Sequence, residues 1–411
     1  MPDPSTYNVE AMDLIAEGSH PGETSTWQLT RLDVAGAFGD IGVLFPIAIA
    51  LVSLNGLNPT AVFLAAGLTY ILAGWYFQVP MPVQPLKAVA AIALATGLPS
   101  SAIASAGLMM GVVLAVVAVT NTANWLVKLF TLPIVRGIQL GLGLLLVREG
   151  LRLMLGSQSI LKVSNGFALR GWEIAVPAAI LLWLFGKSTR YPAALILLIG
   201  GVCLGILGAW GKGLNAVWGP LPLSLLHPHT DELRKVFTLL VIPQFALTFG
   251  NSIVATENTA KILYGAQARR VTIRGLSMSI ALVNLISGML QGAPMCHGSG
   301  GITAHYKFGA RTAKSNYIVG TACLILALLG TAAMGVLHLI PIAVLGVFLV
   351  YVGIQHAAYL RDIFKQTLLL LIAISVGVVA LLTTNLMWGF LVGFVLQGVL
   401  LTYERYRGHL S

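Results

Sequence analysis

Charged residues are scarce in this sequence. Asp, Glu, Lys and Arg make up 9% of its 411 residues, whereas a soluble domain has about 25%. Hydrophobic residues make up 57% of the chain, and its mean hydropathy is +0.87. The composition therefore excludes an ordinary soluble domain and indicates an all-α integral membrane protein embedded in a lipid bilayer.

Cysteines are rare, and the motifs of the common enzyme classes are absent. Cys203, Cys296 and Cys323 are odd in number, and their spacing fits neither a disulfide framework nor a metal site. The sequence has no Walker A motif, zinc-protease helix or G-x-S-x-G elbow. We therefore expect a protein that is not an enzyme and that has no cofactor and no metal site.

The N-terminal residues 1–30 are polar and lack the basic and apolar regions of a signal peptide, so we interpret them as a flexible cytoplasmic tail. The chain stops soon after its last apolar run, and we expect no soluble regulatory domain there.

Long apolar runs predict fourteen transmembrane segments, because a span needs about 20 apolar residues. With this count, most Lys and Arg residues fall on the side of both termini, which the positive-inside rule places in the cytoplasm. A nucleic-acid partner is therefore the weaker explanation of the net charge of +10. The predicted segments are 33–54, 58–78, 80–97, 100–121, 132–155, 171–186, 191–210, 236–260, 272–291, 294–307, 314–335, 337–356, 366–382 and 385–403.

These segments divide into two halves of seven, separated by a polar linker at 211–235. Since each half has an odd number of spans, the second half is inverted relative to the first. A 7+7 inverted repeat of this kind places its substrate where broken helices of the two halves meet.

Two acidic residues interrupt long apolar runs: Asp40 in VAGAFGDIGVLFPIAIALV and Glu257 in LVIPQFALTFGNSIVATENTA. An ionisable group inside a membrane segment usually marks a substrate or proton pathway. We expect one or both to couple proton entry to substrate entry. The alternative is a site-organising role, in which the carboxylate accepts hydrogen bonds from the N–H groups of a short helix.

Segments three and ten are too short and too broken to be simple spans. In MPVQPLKAVAAIAL, prolines prevent a helix before Pro85 and predict a short helix from Leu86 to Ala95. Gln84 is either a donor to the substrate or a backbone cap, and Lys87 either neutralises an anion or extends towards the cytoplasm.

In APMCHGSGGITAHYKFGA, the run Gly298, Ser299, Gly300 and Gly301 opens a second short helix. Two helix N-termini that face each other would form an anion site. The alternative is that both breaks are ordinary kinks. His297 is a ligand donor, a proton carrier or a packing residue, and we expect Cys296 to pack as a small hydrophobic residue.

The stretches PMPVQPLKAVAA and MCHGSGGITAHYKFGARTAKS resemble the signature regions of the molybdate transporter family, a branch of the sulfate permease superfamily. LPIVRGIQLGLG is similar to the fifth span of sulfate permeases. The resemblance extends from residue 31 onward. We expect no counterpart of the C-terminal STAS domain of typical sulfate permeases, which fits the molybdate branch. The resemblance implies the uracil permease-like fold, with half-helices in segments 3 and 10.

The resemblance also implies a core domain (31–121 and 236–335) and a gate domain (122–210 and 336–411) that move against each other in an elevator mechanism. A homodimer through the gate domain is expected. The implied substrate-binding residues are Gln84, Pro85, Leu86, Lys87, Cys296, His297, Gly298, Ser299, Gly300 and Gly301, with Asp40 and Glu257 as proton-coupling or site-organising residues.

The leading hypothesis is proton-coupled import of molybdate across the inner (cytoplasmic) membrane. Tungstate should behave like molybdate, and a sulfate or general oxyanion permease is the nearest alternative. A nucleobase–proton symporter of the same fold is disfavoured because segment ten has no Asp or Glu. A passive anion channel and a membrane sensor are more distant alternatives.

Overall fold

The structure is a computed structural model. It describes residues 29–39, 41–120, 122–123, 125–126, 131–156, 161–162, 168–185, 193–208, 218–226, 230–330, 332, 335 and 339–408.

Helices dominate this part of the chain. The α-helices are α1 Arg31–Ala37, α2 Ile41–Asn55, α3 Pro59–Phe77, α4 Lys87–Thr96, α5 Ser100–Thr120, α6 Leu132–Leu155, α7 Gly171–Phe185, α8 Ala193–Gly208, α9 Thr230–Val236, α10 Ile242–Leu247, α11 Thr256–Tyr264, α12 Ile273–Met289, α13 Ser299–Lys307, α14 Lys314–Leu329, α15 Ile342–Ala358, α16 Thr367–Thr383 and α17 Leu386–Gly408. The two-residue strands are β1 Gln84–Pro85, β2 Leu161–Lys162, β3 Ala168–Leu169 and β4 Met295–Cys296.

The helices α9, α10 and α11 form one continuous rod, because π-helical stretches at Phe237–Val241 and Thr248–Ala255 join them. The short 3-10 helices Gly265–Arg270 and Tyr359–Ile363 follow α11 and α15. The rod begins at Thr230, so the last six residues of the predicted linker 211–235 are helical. The polar sequence TDELRKV reads as a linker but forms the first turns of the helix.

Within the described residues, four helical stretches are long and apolar enough to cross a membrane: Pro59–Phe77, Ser100–Thr120, Glu232–Arg270 and Ile342–Ile363. The bent pair Arg31–Ala37 and Gly42–Asn55 would be a fifth. Several apolar helices of 10–17 residues accompany them among the described residues. These lengths fit a chain that crosses the membrane more than once.

Local sequence signals explain where several helices begin and end. Asn58 caps α3 by accepting a hydrogen bond from the N–H of Ala61 at 3.2 Å, and Pro59 occupies the first helical position. Helix α4 ends at Gly97, whose φ of 64° lies in the left-handed region that glycine tolerates. Both signals are legible in the sequence without tertiary information.

Small residues let α6 pack closely against α15. A Cβ added to Gly143 would lie 2.5 Å from the carbonyl oxygen of Gly353, and one added to Gly150 would lie 2.5 Å from that of Gly346. In lipid, such close backbone approach supplies the packing that holds helices together. Helix α3 packs in a similar way against α14, and α5 packs against α12.

Candidate functional site

Two extended segments from the two halves of the chain meet in the buried interior. Strands β1 and β4 are antiparallel, with Gln84 opposite Cys296 and Pro85 opposite Met295. The N–H of Leu86 extends the contact by donating to the carbonyl of Pro294 at 2.8 Å. The short helices α4 and α13 therefore begin close to each other, immediately after this crossing.

Two buried asparagines hold these extended segments in place. Asn316 accepts from the N–H of Met81 at 2.8 Å and donates to its carbonyl at 2.7 Å. Asn284 does the same for Met295, at 3.0 Å and 2.7 Å. Extended backbone in a buried position needs such partners, and an amide side chain supplies a donor and an acceptor together. No local sequence pattern marks either residue as part of the site.

The N-terminus of α4 is already occupied by a side chain. Gln244 on α10 accepts hydrogen bonds through Oε1 from the N–H groups of Ala88 at 2.8 Å and Val89 at 3.2 Å. Its Nε2 donates to Thr248 at 2.8 Å. The sequence predicts unpaired N–H groups at this end, and that prediction is wrong for Ala88 and Val89. Gln244 is far away in sequence, so only the fold brings it to α4.

The N-terminus of α13 is differently arranged. Gly298 is the N-cap, and no side chain caps the helix. The N–H groups of Gly301 and Ile302 both donate to the carbonyl of Gly298, at 3.1 and 3.2 Å. The N–H groups of Ser299 and Gly300 come earlier, where helix geometry provides no internal acceptor. The N-terminus of α13 is therefore a better anion site than the N-terminus of α4.

Polar groups from three elements surround Gly298. A Cβ added there would lie 3.4 Å from Gln84 Oε1, 3.8 Å from Asn251 Nδ2 and 4.0 Å from Lys87 Nζ. Ser299 Oγ donates to Asn251 Oδ1 at 3.0 Å. The structure thus brings Gln84, Lys87, Gly298 and Ser299 together as predicted site residues, and it adds Asn251. A signal for Asn251 was its position in the apolar run around Glu257.

Gly301 has a packing role that explains its residue type. A Cβ at this position would lie 2.4 Å from Pro82 Cβ and 2.9 Å from Gln84 Nε2. Since real Cβ atoms do not approach this closely, any larger residue would push α13 away from the extended segment before α4. Gly301 therefore keeps α13 in contact with the extended segment that precedes α4.

His297 connects the two broken segments. Its Nδ1 lies 2.8 Å from the carbonyl of Pro82, and its Nε2 lies 2.9 Å from Ser279 Oγ. A carbonyl only accepts, so Nδ1 donates there, and a neutral ring accepts the Ser279 hydroxyl at Nε2. The ring also packs edge-to-face on Phe77 at 5.6 Å. This geometry favours the packing role over the ligand role.

The remaining predicted residues shape the site or lie apart from it. Cys296 and Pro85 are strand residues, and Leu86 is the N-cap of α4, so the helix starts at Lys87 instead of Leu86. Asp40 lies outside the described residues. Glu257 forms an ion pair with Lys261 one turn later, and its side chain is 14% exposed.

Among the described residues, no group of three or more His, Cys, Asp or Glu side chains is placed to hold a metal ion. The donors at α13 are instead backbone N–H groups, a side-chain amide and an ammonium, since the Ser299 hydroxyl already donates to Asn251. Such a set suits an anion that carries several acceptor oxygens.

This chain is similar in sequence to known proteins. A family model described as "Molybdate transporter of MFS superfamily" matches residues 33–146 and 236–355, which include both broken segments. "Molybdate transporter 2" of Arabidopsis thaliana is 28% identical over 390 residues, which cover 83% of this chain and 83% of the relative.

Solved structures show the same fold at lower identity. The transmembrane domain of the cyanobacterium bicarbonate transporter BicA superposes with a TM-score of 0.64 at 18% identity, covering 90% of this chain and 98% of that one. SLC26A9 superposes with a TM-score of 0.67 at 12% identity, covering 91% of this chain and 65% of that one. The fold is therefore a helical membrane transporter fold, and the protein is a multi-pass membrane protein.

Proposed function

This chain belongs to the molybdate transporter family, and from that membership we propose that it imports molybdate, a tetrahedral dianion, by secondary active transport. The proposal rests on one observation, which is the arrangement of polar groups at the N-terminus of α13. There the N–H groups of Ser299 and Gly300 lie beside Gln84, Lys87 and Asn251. Molybdate offers only acceptor oxygens, so the two N–H groups, Asn251 Nδ2 and Lys87 Nζ complement it, whereas the Gln84 atom nearest to Gly298 is the acceptor Oε1.

The electrostatics of this position favour a dianion. The N-terminus of a helix carries about half a positive charge, and the ammonium of Lys87 adds a full one nearby. Because Gln244 occupies the N–H groups of Ala88 and Val89, we infer that the anion binds mainly to α13 and that α4 contributes Lys87. The two half-helices therefore contribute unequally to the site.

We further propose fourteen spans in a 7+7 inverted repeat, with α4 and α13 as the half-helices of spans 3 and 10. Two packing relations support it: α3 lies against α14 and α5 against α12, as a twofold relation between the halves requires. The proposed core domain is 31–121 with 236–335. The proposed gate domain is 122–210 with 336–411, built around α6 and its neighbours α15 and α16.

Transport would follow an elevator mechanism, in which the core carries the anion past the gate. Import of a dianion opposes an inside-negative membrane potential by about 2.3 kcal/mol per charge per 100 mV. We therefore expect a compensating cation, most simply protons, and we propose that Asp40 or Glu257 carries them. We also propose a homodimer through the gate domain, in the cytoplasmic membrane with both termini in the cytoplasm.

A general oxyanion permease is the second candidate, because sulfate has the same charge and shape as molybdate. The donors at α13 bind the oxygen atoms of either anion, so they do not by themselves distinguish sulfate from molybdate by size. A nucleobase permease is less well supported, since residues 294–307 contain no carboxylate to pair with a base.

Calorimetric titration of the purified protein with molybdate, sulfate and uracil tests the proposal. We expect tight molybdate binding, weaker sulfate binding and no uracil binding. Comparable sulfate binding would change the assignment to a general oxyanion permease. Uracil binding without any anion response would refute the anion site. Uptake of molybdate into proteoliposomes, with and without a pH gradient, then tests proton coupling.

A further inference from the structure

A second buried polar group lies where α6 meets the end of α15. It consists of Arg136, Gln139, His356, Tyr359 and Asp362, which we call the Arg136 cluster. Arg136 is 3% exposed, Gln139 0% and His356 4%. Ionisable groups buried in a membrane protein are costly, and by default they indicate a functional site.

The five side chains form one connected group. Arg136 Nη1 donates to Gln139 Oε1 at 2.9 Å, and Arg136 Nη2 forms an ion pair with Asp362. The guanidinium carbon lies 5.4 Å from the centre of the Tyr359 ring, and the His356 ring lies 6.0 Å from the same ring. The cluster therefore bridges α6 and the 3-10 helix Tyr359–Ile363.

Several donors in this cluster lack an acceptor. Among the described residues, the buried atoms Arg136 Nε, Gln139 Nε2 and His356 Nδ1 have no hydrogen-bond partner. Arg136 Nε and Gln139 Nε2 can only donate, and the Asp362 carboxylate meets Arg136 at Nη2 alone. Buried donors are nearly always satisfied in folded proteins. An excess of donors is the arrangement that an entering oxyanion would satisfy.

The cluster adjoins the proposed substrate site. A Cβ added to Gly300 would lie 2.9 Å from the hydroxyl of Tyr359. An anion that leaves the N-terminus of α13 towards Tyr359 would therefore meet the Arg136 cluster next.

We propose that the Arg136 cluster is a second binding site for the tetrahedral oxyanion, which the anion occupies after it leaves α13. This inference rests on the proposed function, because the anion comes from the site at α13. On arrival the anion replaces the carboxylate of Asp362 at Arg136 and accepts from Arg136 Nε and Gln139 Nε2. The planar guanidinium fork suits this exchange, since it binds carboxylates and tetrahedral oxyanions alike.

Two substitutions at the Arg136–Asp362 ion pair should change the anion occupancy of the cluster in opposite directions. Asp362→Asn removes the competing carboxylate and leaves Arg136 available, so anion occupancy of the cluster should rise. Arg136→Gln removes the charge, so occupancy should disappear. A purely structural ion pair would instead make both variants equally defective, and the double variant would restore function. If Arg136→Gln does not fold, Arg136→Lys takes its place in the test, because Lys keeps the charge but lacks the Nε donor.

The direct measurement uses tungstate, an electron-dense anion with the charge and shape of molybdate. Crystals of the Asp362→Asn protein should show anomalous tungsten scattering at two positions, one at α13 and one within hydrogen-bonding distance of Arg136. The Arg136→Gln protein should show only the first. Scattering at α13 alone in wild type and Asp362→Asn, or ordered water alone at the cluster, would overturn the proposal.

Transport kinetics give an independent readout. In Arg136→Gln, the calorimetric dissociation constant of molybdate at the α13 site should stay within about threefold of wild type. The uptake rate should fall about tenfold or more. Arg148→Gln is the matched control on the same helix, where Arg148 contacts Thr384 outside the cluster. A wild-type uptake rate in Arg136→Gln would contradict the second site. Absence of tungstate from both sites would contradict the proposed function itself.

Discussion

Gln244 and Ala88 are 156 residues apart in the chain, yet the side-chain oxygen of Gln244 accepts the backbone N–H of Ala88 at 2.8 Å. The same oxygen accepts from Val89. A neutral amide thus takes the place at the N-terminus of α4 that an anion would otherwise fill. The contact makes the two short helices chemically unequal, although their sequences predict similar roles.

Replacing Gln244 by Glu should weaken molybdate binding and leave the fold intact. The carboxylate can still accept from Ala88 and Val89, but it places a negative charge close to a dianion. We expect the dissociation constant to rise about tenfold or more, which corresponds to about 1.4 kcal/mol. Calorimetry measures the affinity, and Gln397→Glu on α17 is the control, since Gln397 contacts Thr131 away from the site. Unchanged affinity in Gln244→Glu would place the anion elsewhere.

Asn251→Asp should also weaken molybdate binding. Asn251 Oδ1 accepts from Ser299, and a carboxylate oxygen can do the same, so the local fold should persist. The new charge near Gly298 should raise the molybdate dissociation constant about tenfold or more. Asn385→Asp is a matched control, because Asn385 accepts the N–H of Met387 at a helix start where Asp is equally suitable. Equal effects of the two substitutions would argue against a role of Asn251 at the site.

Asn316→Leu should destabilise the protein without adding any charge. Leucine has a similar size but cannot satisfy the N–H and carbonyl of Met81. Each buried group left without a partner costs about 1–3 kcal/mol, so the apparent melting temperature in detergent should fall clearly. Asn316→Asp keeps an acceptor for the N–H but places its other carboxylate oxygen against the carbonyls of Met81 and Tyr70, so its melting temperature should fall as well. If both variants melt like wild type, the asparagine does not hold the extended segment.

Proton coupling can be tested at the two predicted acids. Asp40→Asn and Glu257→Gln each remove a site of protonation, and the Glu257 change also releases Lys261 from its ion pair. If either acid carries the coupled proton, its variant should lose the pH dependence of molybdate uptake in proteoliposomes, while binding persists. An unchanged pH profile in both variants would reject these residues as the coupling groups. Glu173→Gln, at the exposed start of α7, is the control.

Predictions from the sequence succeeded where a local signal decided the outcome. Prolines remove backbone donors and restrict the preceding residue, so the break before α4 was visible in MPVQPLK. The run Gly298 to Gly301 indicated close backbone approach, which the contact between Gly301 and Pro82 explains. Membership of the molybdate transporter family was also predictable, because the motif around Gly298 is long and continuous.

Predictions were incomplete where distant residues compete for the same backbone groups. Nothing in the sequence shows that Gln244 reaches α4, that Asn316 holds Met81, or that Arg136 meets Asp362. Glu257 interrupts an apolar run, which predicted a proton-coupling or site-organising role, and the structure pairs it with Lys261 four residues later on the same helix face.

The sequence alone determined the membrane class, the two broken segments and the family, because hydropathy, proline and glycine act through local chemistry. Only the tertiary structure decided which helix N-terminus is open, what surrounds Gly298 and where the buried charges pair. Those outcomes depend on which side chains, far apart along the chain, lie within hydrogen-bonding distance of one another. Such distances arise from helix packing as a whole, and no local pattern encodes them.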